Sequence, residues 1–273
     1  MMRRMWRFSQ SVGSGNEESD TDHDRVLVLS VSRHGSRPPL ISACVMHESM
    51  SSTDDRSLGS LGATSGAESP FAHPDRAAFE AHLERKNYGP FTLTEAVRPG
   101  WHAGVVPREG YRFDTYSDPH TRARLPAIIA AVSRERLFET FIELLSPLGE
   151  SCEVVLESSH EKRGRDRQEY VRESVERLVL ESLLWDFEDL LTNDGCSGIA
   201  IMHPQLPMEV QLDEHKLLII YAPSRAPFAE RLEACGVGRN DELQVISQGE
   251  HLHTSHSRYA KAFNRLRHRL GAE

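Results

Sequence analysis

The sequence lacks a long apolar run. Its longest apolar stretches, such as Leu217 to Ala222 and Pro126 to Val132, fall well short of the roughly 20 consecutive apolar residues that a spanning helix needs, so no membrane span is expected. Cysteine is scarce. The four present, Cys44, Cys152, Cys196 and Cys235, are widely spaced with no C-x-x-C pair, which argues against a zinc knuckle or a disulfide framework and suits reduced thiols in a cytoplasmic protein. Glycine-rich nucleotide loops are missing too: there is no G-x-G-x-x-G, no G-x-x-x-x-G-K-[ST] and no G-x-S-x-G, which leaves common nucleotide folds and the α/β-hydrolase mechanism without support. H-E-x-x-H is absent as well. Positive charge is outweighed, with 32 Lys and Arg against 41 Asp and Glu for a net charge of -9. That balance disfavours a nucleic-acid-coating role, which needs a concentrated positive field.

What is present describes an ordinary globular chain. Hydrophobic residues make up 38% and charged residues 27% of 273 positions, enough to build one sizeable core. Arg3, Arg4 and Arg7 are followed by the polar run Ser9 to Asp24 rather than by an apolar segment with a cleavage site, so no secretory signal is expected. Residues 1–24 read as a disordered leader. Residues 25–107 read as an N-terminal β-containing lobe in which Val26 to Val31 and Ile41 to His47 form a hairpin-like pair, and 49–70 as a flexible loop. Arg76 to Lys86 has helical character.

Residues 108–273 read as an α/β domain, with α+β as the variant: a layered mixed sheet with helices packed on it. The strands expected there are 111–116, 126–132, Cys152 to Leu156, Ile199 to Met202, Met208 to Leu212, Leu217 to Tyr221 and 243–247. The helices expected are 134–145 with Ser133 as N-cap, a long one over Gln168 to Leu191, 225–235 and 257–270. The last carries Arg258, Lys261, Arg265, Arg267 and Arg269 opposite Tyr259, Phe263, Leu266 and Leu270, the pattern of a docked amphipathic helix whose basic residues suit the negative end of its dipole.

Two strings carry chemistry. Arg33-His34-Gly35-Ser36-Arg37-Pro38-Pro39 follows an apolar strand and resembles the R-H-G-x-R-x-P loop of histidine acid phosphatases. The resemblance implies a catalytic His34 that takes the phosphoryl group, with Arg33 and Arg37 clamping the phosphate oxygens. It covers seven residues. The downstream His-Asp pair of that family has no counterpart here, since His23-Asp24 lies upstream and His47-Glu48 and His160-Glu161 are substitutes. The bland alternative is a basic turn between two strands.

The second string is Glu250-His251-Leu252-His253-Thr254-Ser255-His256. In an extended segment His251 and His253 project from one face, and His256 can fold back from the following helix. Glu157 with His160, and Asp213, Glu214 and His215, stand at the ends of expected strands; neighbouring strands would bring those ends to one edge of the sheet. His251, His253, His256, His215 and Asp213 are therefore candidate ligands for a divalent metal, against the alternative of hydrogen-bonded surface histidines. Cys196, after the turn Asn193-Asp194-Gly195, reads as structural.

The segments 193–200, 213–218 and 250–259 also resemble a bacterial family of unknown activity, for which a planctomycete source is one reading. That resemblance brings no activity with it. The expectation is a regulatory or binding protein that takes a small molecule or a protein partner at the strand-end edge containing Asp213, His215, His251 and His253. The alternatives are a phosphoester hydrolase acting through His34 and a His-rich metal-binding protein.

Overall fold

The computed structural model describes residues 26–30, 42–45, 76–117, 124–160 and 167–273. In chain order the elements are β1 (Val26–Ser30), β2 (Ser42–Val45), α1 (Arg76–Glu84), β3 (Asn87–Tyr88), β4 (Phe91–Thr92), β5 (Val97–Pro99), β6 (Gly110–Ser117), β7 (Arg124–Ala131) and α2 (Arg134–Glu143). They continue with β8 (Ser151–Ser158), β9 (Gln168–Glu176), α3 (Arg177–Trp185), α4 (Glu188–Asn193), β10 (Ser197–Met202), β11 (Glu209–Leu212) and β12 (Leu217–Tyr221). Helix α5 (Ala226–Ala234), β13 (His251–Ser255) and α6 (Ser257–Leu270) complete the set. The leader 1–24, the loop 49–70 and the phosphatase-like residues Arg33, His34 and Arg37 lie outside the described residues.

Seven strands form one sheet in the order β6-β7-β12-β11-β10-β8-β9. Every pairing in it is antiparallel, so the mixed α and β architecture takes its α+β form. The two-residue period of its strands explains the layering. Ile128, Ala130, Val154, Leu156, Ile199, Ile201, Val210, Leu212, Leu218 and Ile220 point to one face and are buried with Leu137, Phe138 and Phe141 of α2, Phe228 and Leu232 of α5, and Phe263 and Leu266 of α6. The alternate residues Ala131 and Leu217 meet Phe91, Leu93, Val97, Leu243, Val245 and Ile246 on the other face, with Ile129 and Ile219 packed against them. A second sheet, β2-β1-β13-β5, is antiparallel throughout, with β13 in its interior.

The sequence reading fails at two elements. Gln168 to Glu176 is not the first half of a long helix but strand β9, paired along β8 with an irregularity between Cys152 and Val154 where Ser174 has φ +54°. The apolar spacing of 168–191 fits a helix, yet β8 offers unpaired backbone groups at that edge, and pairing overrides a weak local preference. Helices α3 and α4 take the remainder. The apolar positions of 243–247 are buried, but they lie in a loop and a 3₁₀ turn (Ile246–Gln248) rather than a strand. There the Gln248 side chain accepts a hydrogen bond from the Val245 amide at 2.9 Å, which replaces a ladder partner. Helix α6 has the expected bounds, and Tyr259, Phe263, Leu266 and Leu270 are buried. Among its basic residues, Arg269 pairs with Asp186 at 2.7 Å and Arg267 lies over the Tyr170 ring at 4.4 Å.

Candidate metal centre

The β11–β12 connection is a tight turn, Asp213-Glu214-His215-Lys216. Asp213 Oδ1 accepts the amide of Leu217 at 2.8 Å, and the amide of Lys216 donates to the Asp213 carbonyl at 3.0 Å. Lys216 takes a left-handed conformation at φ +61°, which costs a non-glycine residue about 1–2 kcal/mol. Its buried side chain holds it there by donating from Nζ to the Ser197 carbonyl at 2.9 Å. The turn thereby presents His215 towards β13. In β13, His251 and His253 are two residues apart and share a face, as extended backbone requires. They are 1% and 3% exposed.

The three imidazoles form a nearly equilateral group, with ring centroids 4.8 Å apart for His215 and His251, 4.8 Å for His215 and His253, and 5.1 Å for His251 and His253. One ligating atom from each lies within 4.8 Å of the others. Each Nδ1 is already engaged. His251 Nδ1 lies 2.8 Å from the Gly249 carbonyl, His253 Nδ1 2.9 Å from the Gly195 carbonyl, and His215 Nδ1 2.7 Å from Asp213 Oδ2. Carbonyl and carboxylate oxygens only accept, so each Nδ1 carries the proton and donates it. The Nε2 atoms are left with their lone pairs, and those of His215 and His251 approach to 3.1 Å. Two lone pairs at that distance need a cation between them, either a proton or a metal. Two nitrogens each about 2.0–2.1 Å from a tetrahedral zinc ion lie about 3.3 Å apart.

Burial sets the protonation preferences. Burial, followed by the charge of His215, pushes His251 down to about 4, and the same two influences with His251 added hold His253 well below the ordinary histidine value. Burial pulls His215 down too, but the charge and hydrogen bond of Asp213 outweigh it and raise the group. Two neutral imidazoles and one backed by a carboxylate make a metal-ligand set with its outer partners in place. Asp213 serves through His215 rather than beside it. His256 is not part of the group: it occupies the N-cap of α6, with its ring 5.9 Å from that of Tyr259.

The neighbouring strand ends bring further charged groups to this edge. Glu157 sits at the end of β8, buried on the face away from the helices, and accepts from Arg167 at 3.2 Å; Arg167 also pairs with Glu214. Glu157 Oε1 has no hydrogen-bond partner. Because Arg167 is shared between two carboxylates, burial dominates and pushes Glu157 up to about 7. Gly198 opposite it leaves the room required, since a Cβ there would lie 3.1 Å from Glu157 Oε2. A cleft of about 20 Å³ beside His215 is lined by Thr94, Val97, Arg108, Lys216 and Gln244 among others, room for about one water.

Reading the sequence took Asn193-Asp194-Gly195 as a turn and Cys196 as structural, and it missed that this strap orients a histidine of β13 and that Lys216 is buried. Nothing in the string N-D-G-C-S-G signals that the Gly195 carbonyl will orient a histidine in β13. Gly195 is pressed between β13 and the segment before β5, where a Cβ would fall 2.9 Å from Thr254 backbone atoms and 2.3 Å from the Ala96 carbonyl. No protein-family model matches the chain, and no curated protein or solved structure is significantly similar to it.

Proposed function

We propose that this chain is a binding protein whose ligand is a divalent transition metal, held by the Nε2 atoms of His215, His251 and His253 with Asp213 as the outer partner of His215. The observation that carries the reading is the engagement of all three Nδ1 atoms by fixed acceptors, which leaves Nε2 as the ligand atom of each ring in a group whose ligating atoms lie within 4.8 Å of one another. An all-imidazole set suits zinc, copper, nickel or iron rather than calcium or magnesium. Three protein ligands leave a further coordination position, as in zinc sites that bind water or a small molecule. The regulatory or ligand-binding role expected for this edge would then operate through the metal. The phosphoester reading at His34 concerns residues outside those described.

The test is the metal content of the full chain purified without a histidine tag, followed by zinc titration. The expected result is one zinc lost when both His251→Ala and His253→Ala are introduced, and a melting temperature that zinc raises further in the parent than in that variant. At a zinc concentration about 100 times the dissociation constant the stabilisation is about 2.7 kcal/mol. Parent protein that purifies without metal and melts unchanged in zinc overturns the reading.

A further inference from the structure

A second group of ligating side chains includes both neighbours of Gly195 in the strap that orients His253. Strand pairing assembles it: Ser158 stands opposite Ser197 in the β8–β10 ladder, so the chain leaving β8 runs beside the chain entering β10. The Ser159 amide donates to the Cys196 carbonyl at 2.9 Å, and His160 arrives over Asp194 and Cys196. His160 Nε2 is 2.8 Å from Asp194 Oδ2, and one ligating atom from each of His160, Asp194 and Cys196 lies within 4.8 Å of the others. Asp194 is 0% exposed and Cys196 is buried. The amide of Cys196 donates to Asp194 Oδ1 at 3.3 Å, which fixes the carboxylate relative to the thiol.

We infer that His160, Asp194 and Cys196 form a second metal site, of nitrogen, oxygen and sulfur ligands, specific for zinc or a similar borderline-soft divalent ion. Calcium and magnesium are poor occupants because a thiolate and an imidazole replace the oxygens they require. Binding is a simple exchange with no redox step. The Cys196 thiol proton passes to solvent, and the proton that His160 Nε2 shares with Asp194 moves to Nδ1 of the same ring, which leaves a neutral imidazole as ligand. A dication with one carboxylate and one thiolate carries no net charge, and the buried Lys216, whose charge acts on Asp194 and Cys196, is the further charged group beside it. The Asp194-Gly195-Cys196 strap serves both sites, because the Gly195 carbonyl orients His253 while its two neighbours supply ligands.

The two sites differ in sulfur, and this makes the inference separable from the three-histidine reading. Cobalt(II) added to the tag-free full chain is the probe, read by equivalents bound and by the near-ultraviolet thiolate-to-cobalt charge-transfer band. The parent is expected to bind two equivalents and show the band. Cys196→Ser is expected to bind one and lose the band, whereas His251→Ala with His253→Ala is expected to bind one and keep it. His160→Gln repeats the Cys196→Ser outcome without touching a cysteine, and it decides the matter if Cys196→Ser fails to fold. Absence of the band in the parent, or its persistence in both Cys196→Ser and His160→Gln, overturns the second site whatever becomes of the first.

Discussion

The Gly195 carbonyl accepts the Nδ1 proton of His253 at 2.9 Å. This one bond ties the turn before β10 to the interior strand of the second sheet and fixes which nitrogen of His253 remains open. The Gly195 amide donates to the Thr254 carbonyl at 2.9 Å and the Thr254 amide to the Ala96 carbonyl at 2.8 Å, so the strap, β13 and the segment before β5 are laced together by backbone.

Gly195→Ala is therefore expected to damage both sites. Its Cβ would meet backbone on two sides, at 2.3 Å from the Ala96 carbonyl and 2.9 Å from Thr254 atoms, and backbone cannot swing aside as a side chain can. Destabilisation of about 1–3 kcal/mol, the usual cost of overpacking, should accompany weaker zinc binding, checked by urea denaturation and zinc titration of the same preparation.

Asp213→Asn tests the outer partner. The amide still fills the turn, but it carries no charge to favour the Nδ1-protonated, electron-rich form of His215. Zinc affinity should fall about 10–100-fold, the usual loss for such a partner, with the zinc-free melting temperature changed much less than by His253→Ala. Competition against a chromophoric chelator gives the number.

Glu157 provides a pH test. Its folded value is raised from 4.5 to about 7, so the folded state holds a proton that the unfolded chain releases at lower pH. Stability from this group is complete below about pH 4.5 and is lost as pH rises through about 7. Glu157→Gln imitates the protonated form, so its advantage over the parent should grow between those pH values to an order of 2–3 kcal/mol. Denaturant midpoints of the two proteins measured at pH 5 and pH 8 check it; parallel profiles would refute the raised value.

Phe141→Ala tests the helix-covered face of the large sheet. Phe141 is fully buried among α2 and its neighbours, with Phe138 6.5 Å away by ring centroid. The cavity should cost about 3–5 kcal/mol. Zinc stoichiometry should persist at temperatures where the variant remains folded, because the three histidines lie on the other side of the sheet.

The amino-acid sequence by itself determined the elements whose periodicity is strong and whose neighbours agree. The stripe Tyr259, Phe263, Leu266 and Leu270 specifies α6 because a helix repeats every three to four residues and only that period puts all four on one face. The short unbroken apolar run Leu217 to Tyr221, rich in aliphatic residues and ended by Pro223, specifies β12 by its strand length and composition. The sequence also placed His251 and His253 on one side of an extended segment. Tertiary structure alone decided the rest. Strand β9 forms from a helix-like sequence because the free edge of β8 supplies backbone partners that no local signal encodes. Convergence of His215 with His251 and His253, and of His160 with Asp194 and Cys196, depends on which strands become neighbours and in what register. Hydrogen bonds between residues far apart in the chain set that arrangement, and a linear reading of side-chain types does not contain them.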